Sequence, residues 1–234
     1  AAAAWEWWPQ ALSDAARRFG VAVVAGGFAP ADAPADSGPA ARLVAALGEG
    51  APGRATGAGG IGRDARVWNV LLAVDADGGV VGAQPKTRLY DAFSYRESEM
   101  VRPGGPGAGA PVKLAGLSLG LVNCYELRFP ELARGLVAGG AEVLALSAAW
   151  VRGPLKEDQW ATLARARAIE NCVYVLAAGA RTRETIGRSM IIDPGGVVRA
   201  GLSDEPEALA LAEIDTAAIA AARAQAGSAP APGS

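Results

Sequence analysis

Residues Leu117 to Leu136 read LSLGLVNCYELRFPELARGL, an apolar run that leads straight into Cys124 and gives way within a few residues to helix chemistry. The stretch PELARGLVAGG, Pro130 to Gly140, carries proline at its start and glycine at its end, the places where a helix accepts them best. Cys124 is therefore expected on a strand-to-helix elbow. There the positive end of the helix macrodipole and the first-turn N–H groups favour a thiolate. The same N–H groups, that of Tyr125 above all, are placed to receive an oxyanion. Position alone leaves a second reading open, a buried and inert cysteine closing a core strand, because free cysteine is among the most buried residue types.

Working outward, AEVLALSAA (Ala141 to Ala149) reads as a strand, Asp158 to Asn171 as a helix, CVYVLAAG as a strand and SMIIDPGGVVRAG as a hairpin. Upstream, WEWWPQALSDAARRFG suits a helix ended by Gly20, with Leu12, Ala15, Ala16 and Phe19 repeating at three and four. The strand VAVVAGG follows, Val21 to Gly27. Residues 29–62 are dominated by Ala, Pro and Gly and are expected to form an inserted, flexible loop. VWNVLLAVDADGGVVGAQPK predicts two strands joined at Asp77-Gly78-Gly79. Thr87 to Gly109 lacks alternation and reads as a long irregular connection after Lys86, of the kind that often carries function. Val112 to Asn123 reads as strand, tight turn and strand. Two strand-helix-strand halves with hairpins imply an α/β layered fold in one domain over residues 1–216. Residues 217–234 are Ala/Pro-rich, a frayed helix and tail.

Composition narrows the chemistry. The chain of 234 residues is 51% apolar, enough for a substantial core, and carries 22 Lys+Arg against 24 Asp+Glu. No stretch clusters basic residues beside aromatics, which argues against nucleic acid or an anionic membrane surface as partner. There is no histidine at all. A Ser-His-Asp triad, a Cys-His dyad and an imidazole metal ligand are thereby excluded for these residues. Two cysteines, Cys124 and Cys172, make neither a disulfide framework nor a zinc site, and the apolar runs are too short to span a bilayer. A cytoplasmic protein without metal is the expectation.

CYELRFPEL resembles the nucleophile motif of the nitrilase superfamily, the carbon-nitrogen hydrolases. PKTRLYDAFSYRES is similar to the family's lysine motif, WATLARARAIENCVYVLAA to the helix and strand after the nucleophile, and GRSMIIDPGGVV to its closing hairpin. The resemblance covers roughly Val67 to Asp215, in the family's order. It implies a four-layer α-β-β-α sandwich and a Glu-Lys-Cys catalytic set with a second glutamate near the lysine. Carried over by position, Cys124 matches the nucleophile, Lys86 the catalytic lysine and Glu97 the second glutamate. Read alone, Lys86 is a solvated strand-end lysine and Glu97 a surface charge. An ammonium near the thiol would instead favour its thiolate and later hold an oxyanion. Trp150 stands where the family's pocket is lined, with a core tryptophan as the equal alternative. Asp91, Glu99, Glu126, Arg128 and Glu131 are read as structural.

Three departures accompany the resemblance. The family's general-base glutamate has no counterpart between Ala1 and Val21, Glu6 lying within WEWW, so a first strand and its glutamate are expected upstream of Ala1. Arg88 stands where many relatives carry histidine. The 29–62 insertion and the tail replace tighter segments. The resemblance implies an amidase that hydrolyses a small linear carboxamide to acid and ammonia through a cysteine thioester, with no cofactor. It is closest in appearance to the ω-amidase and deaminated-glutathione amidase branch. A non-catalytic binding or assembly subunit, and an acyl transferase using the same thioester, are the alternatives. The expected partners are a small-molecule amide and further copies of the chain, as a homodimer or higher even oligomer that buries the surfaces near Glu131 to Gly140 and Asp158 to Asn171.

Overall fold

The computed structural model describes residues 3–30, 66–92, 95–105, 107, 109–205 and 207–227. They divide into two compact units, one from 1–107 with 112–116, the other from 108–111 with 117–234.

In the first unit helix α1 (Ala3–Phe19) lies on a sheet of β1 (Val23–Pro30), β2 (Val67–Val74) and β3 (Val80–Pro85) in that order. Both neighbours run antiparallel to β2, pairing Val23 with Val74 and Val70 with Pro85. Every second residue of β2, Trp68 to Val74, packs with Ala16 and the partly buried Trp8 and Leu12 of α1. Full burial of each such Val or Leu contributes about 1.5–3 kcal/mol. Leu71 and Ala73, on the other face, are just as inaccessible, which is why VWNVLLAV is apolar on both faces except at Asn69 rather than alternating. Gly27 is required by close approach: a Cβ there would stand 2.6 Å from Trp8 Cε2, and Trp8 Nε1 donates to the Phe28 carbonyl at 2.9 Å. Phe19, expected on the apolar stripe of α1, is instead exposed at the helix's last residue, with the Arg18 guanidinium over its ring.

β1 runs further than expected. Ala29 and Pro30, read as the start of the insertion, are strand residues opposite Trp68 and Val67. Pro30 is tolerated because it ends an edge strand. The remainder of the insertion, 31–62, lies outside the described residues. The connection after Lys86 is irregular, as expected, but carries short pieces of order. These are β4 (Asp91–Ala92) paired with β5 (Tyr95–Arg96), a 3-10 turn over Glu97–Glu99, and β6 (Val101–Arg102) parallel to the start of β2. β7 (Val112–Leu114) leads into the Ala115-Gly116 turn, where both residues have positive φ.

The second unit contains β8 (Leu117–Asn123), β9 (Val143–Ala148), β10 (Tyr174–Gly179), β11 (Met190–Ile192) and β12 (Val198–Gly201), each beside the next. β8, β9 and β10 are parallel, and β11 and β12 complete the sheet antiparallel. The parallel strands are joined through α2 (Pro130–Ala138) and α3 (Lys156–Asn171). Parallel neighbours need such crossovers, and helices laid on the sheet make its strands apolar throughout. Gly120 lets α2 approach β8: a Cβ would meet Leu144 Cδ2 at 2.9 Å and Leu136 Cβ at 3.0 Å. α3 starts two residues before the expected Asp158. The alanine-rich end forms α4 (Thr216–Gln225), capped by the Asp215 carboxylate accepting from Ala217 N at 2.8 Å. Residues 228–234 lie outside the described residues. No described helix is long and apolar enough to cross a membrane.

Candidate active site

In the first unit Lys86 and Glu97 form a buried ion pair. Lys86 follows β3, its main-chain N–H held by the Asn69 carbonyl at 2.8 Å. Its Nζ lies 2.9 Å from Glu97 Oε1 and 2.6 Å from Oε2. With relative exposures of 3% and 5%, neither residue is a solvated surface charge. Asn69 Nδ2 donates to Oε1 at 3.1 Å and the Tyr90 N–H to Oε2 at 2.7 Å. Both carboxylate oxygens are therefore engaged, and the Glu97 side chain is oriented to hold the lysine. Two charges this deeply buried are tolerable only when paired and hydrogen-bonded. Asn69 was missed by sequence reasoning, although it is the one polar residue in VWNVLLAV. Arg88, the substitute for histidine, is exposed.

In the second unit Cys124 is the first residue after β8 and opens a 3-10 turn, Cys124–Arg128. Its φ is +50°. A non-glycine residue pays an energetic penalty of about 1–2 kcal/mol in that left-handed region, and such residues cluster at functional sites. The surrounding contacts enforce it. The Asn123 N–H donates to the buried Glu126 carboxylate at 2.9 Å, as in a capping box. Phe129 N–H closes the turn onto the Glu126 carbonyl at 3.0 Å, and the Tyr125 and Phe129 rings meet edge to face at 5.2 Å. Buried Arg167 of α3 donates Nε–H to the Leu127 carbonyl at 3.0 Å and pairs through Nη1 with Glu170 at 2.8 Å. Pro130 then starts α2. The Cys124 side chain is half-buried against the core of this unit. The Tyr125 N–H lies one residue into the turn.

Trp150 follows β9, so Cys124 and Trp150 leave the carboxyl ends of adjacent parallel strands, where open α/β sheets place their ligand sites. Trp150 is 4% exposed and stacks near Trp160, ring centroids 5.4 Å apart. It is thus a core residue, and its ring also carries two cations. The Arg128 guanidinium lies 4.9 Å and the Lys156 ammonium 5.7 Å from its centroid. Arg128 is further held by Gln159 Oε1 at 2.7 Å. Burial first, and then the Arg128 charge, push the Lys156 ammonium below the ordinary lysine value of 10.5, while the Cys124 sulfur pulls it upward. Lys156 escaped the sequence reading because the helix was started beyond it.

Asp91 accepts from the Ser98 N–H at 3.0 Å, the contact that most lowers its pKa. Glu126 braces the Cys124 turn. Among the described residues no three His, Cys, Asp or Glu side chains come together to hold a metal. Cys172, the other cysteine, is buried at the end of α3.

Comparison with known proteins places these features in a family. Over 160 residues the chain is 47% identical to a deaminated glutathione amidase of Escherichia coli O157:H7, covering 68% of this chain and 60% of that one. Against the mouse deaminated glutathione amidase it is 40% identical over 162 residues, 64% of this chain and 49% of the other. The chain thus spans about half to three-fifths of the length of these relatives. The solved Caenorhabditis elegans NitFhit protein superimposes with a TM-score of 0.71 at 28% identity, over 93% of this chain and 48% of that one. The fold is that of the nitrilase superfamily. Residues 4–224 match the carbon-nitrogen hydrolase family model, a span that includes the Lys86–Glu97 pair and the Cys124 turn, and the chain belongs to that family.

Proposed function

We propose that the protein hydrolyses the C–N bond of a small linear carboxamide, releasing ammonia and a carboxylic acid, with Cys124 as nucleophile. The observation that carries this reading is the place of Cys124, half-buried at the first residue of the braced turn that follows β8. The thiolate adds to the amide carbonyl carbon, forming a C–S bond and moving charge to the oxygen. The Tyr125 N–H receives that oxyanion; Lys86, with Glu97 as its positioning residue, is the catalytic lysine that the family resemblance gives. Collapse breaks the C–N bond, and the nitrogen takes a proton from solvent water and leaves as ammonia. Water then adds to the thioester, giving up a proton to solvent, and expels the sulfur as thiolate.

The names of the relatives make deaminated glutathione the first amide to assay, followed by other acyl compounds ending in a carboxamide. Ammonia with stoichiometric free acid from the full-length gene product supports the amidase. Ammonia only in the presence of an amine acceptor would instead make it an acyl transferase, and no ammonia from any amide would make it a binding subunit. The same reading includes a homodimer or higher even assembly, tested by sedimentation velocity, where a monomer at micromolar concentration would overturn it.

A further inference from the structure

Asn69 is the polar residue of an otherwise apolar strand. Amides are depleted in strands, and Asn69 shares a face of β2 with the inaccessible Leu71 and Ala73, where a carboxamide is tolerable only when hydrogen-bonded. It stands where β2 passes from β6 to β3 as its neighbour. Two of its bonds converge on one ion pair. The Asn69 carbonyl accepts the Lys86 N–H at 2.8 Å, and its Nδ2 donates to Glu97 Oε1 at 3.1 Å. A carboxylate only accepts, so the NH2 of the amide is the group turned to it. Each Glu97 oxygen is thereby shared between the Lys86 ammonium and a neutral N–H donor, Oε1 with Asn69 and Oε2 with Tyr90. Lys86 follows the end of β3, while Glu97 and Tyr90 belong to the irregular connection. Asn69 is the member of this set that lies within a strand of the sheet, and groups held by strands are placed more precisely than groups held by loops.

We propose that Asn69 is a positioning residue for Lys86: its amide ties the Glu97 carboxylate to β2, so that the ammonium bonded to that carboxylate is held in one direction. The inference rests on Lys86 as the catalytic lysine of the proposed amidase. A carboxylate free to rotate would carry the ammonium with it, and a displacement of about 1 Å at a catalytic group costs up to roughly a hundredfold in rate. The other charged groups around this end of β2 are engaged or exposed. Arg66 donates to the Ser98 carbonyl at 3.4 Å, Asp91 accepts from the Ser98 N–H, Arg102 of β6 lies 5.2 Å from the centroid of the Trp68 ring, and Lys113 of β7 is exposed. The carboxamide thus gives Glu97 a donor without adding a charge. A leucine would remove that donor, and an ionised aspartate would set a second carboxylate against the first.

The test reads the lysine directly. The chain's lysines are Lys86, Lys113 and Lys156, so labelling lysine with nitrogen-15 gives few side-chain ammonium signals, assigned through Lys113→Arg and Lys156→Arg. Hydrogen exchange of the Lys86 ammonium with water is then followed by NMR in the full chain. In Asn69→Leu the exchange is expected to quicken roughly tenfold, and kcat for amide hydrolysis to fall roughly ten- to hundredfold with KM within about threefold. Asn69→Asp keeps the shape and, where its carboxyl is protonated, a donor. Its rate relative to the parent is expected to rise roughly fivefold from pH 8 to pH 5, a recovery that Asn69→Leu cannot show. Should Asn69→Leu fail to fold, Asn69→Asp at pH 8 carries the exchange measurement. An unchanged exchange rate overturns the proposal. So does quickened exchange with kcat within about twofold of the parent, or a relative rate of Asn69→Asp that stays flat with pH. A parent that hydrolyses no amide would sink the proposed function, and the exchange rates would still decide whether Asn69 holds Lys86.

Discussion

Cys124 and Cys172 share a backbone conformation and little else. Both have φ close to +50° and both stand at a junction between strand and helix. Cys124 follows a strand and opens a helical turn, so it stands at the N–H end. Cys172 closes α3, its N–H donating to the Ala168 and Ile169 carbonyls and its thiol lying 3.7 Å from the Ile169 carbonyl. The N–H end of a helix attracts negative charge and the carbonyl end repels it. Cys172 is also sealed in the core, whereas Cys124 is half-buried. A left-handed cysteine is therefore not a nucleophile by virtue of its φ. What distinguishes the two is which end of a helical turn they occupy, and how deeply they are buried.

The largest effect that would break this comparison is on turnover. Cys124→Ala should abolish amide hydrolysis, by three orders of magnitude or more on the order of other lost nucleophiles, and Cys172→Ala should leave the rate within about twofold. Ammonia release measures both, and residual turnover in Cys124→Ala would end the thioester reading. Next in size is labelling. Iodoacetamide at pH 7 should modify Cys124 at least roughly tenfold faster than Cys172, and peptide mapping that finds Cys172 modified first would reverse the assignment.

Smaller effects sharpen the backbone side of the comparison. Cys172→Val forces a β-branched side chain into the left-handed region and should cost about 1–3 kcal/mol in urea unfolding. Cys172→Gly should be close to neutral, since relief of about 1 kcal/mol at positive φ offsets a similar loss of buried side chain. The smallest effect concerns pH. The folded-state pKa of Lys156 is lowered, so its charge opposes folding fully below that value. The opposition fades as pH rises towards the unfolded value of about 10.5, because the unfolded chain then binds more protons than the native one. The stability of the parent relative to Lys156→Met should thus rise across that alkaline window, and a difference that stays flat would show that the ammonium feels no such penalty.

The sequence made most strands legible because buried parallel strands are long apolar runs, and the elbow at Cys124 because Pro130 marks the following helix so clearly. Lys86 and Glu97 were found by resemblance, which also implies a second glutamate near the lysine, but from the residues alone their pairing was not legible. They are eleven residues apart across an irregular stretch with no period to read. Asn69, the donor that fixes Glu97, did carry a signal, a lone amide in an apolar strand. Lys156 was hidden by a helix boundary placed two residues late, an error inherent in reading caps where no side-chain cap exists. Phe19 failed for a different reason: the stripe of α1 is right, but its last residue is exposed, and periodicity says nothing about where the partner sheet ends.

The Arg167 bond to the Leu127 carbonyl limits how freely the reactive segment can be moved between proteins. Nine residues, CYELRFPEL, resemble a cassette that an engineer would graft onto another sheet, yet the carbonyl that ends the first turn is held by a guanidinium forty positions downstream. A graft carrying only the nine would arrive without its clamp, and the host would have to supply a buried arginine at matching height. The practical unit of exchange, for recombination in the laboratory or in a genome, is β8 through α3 taken whole.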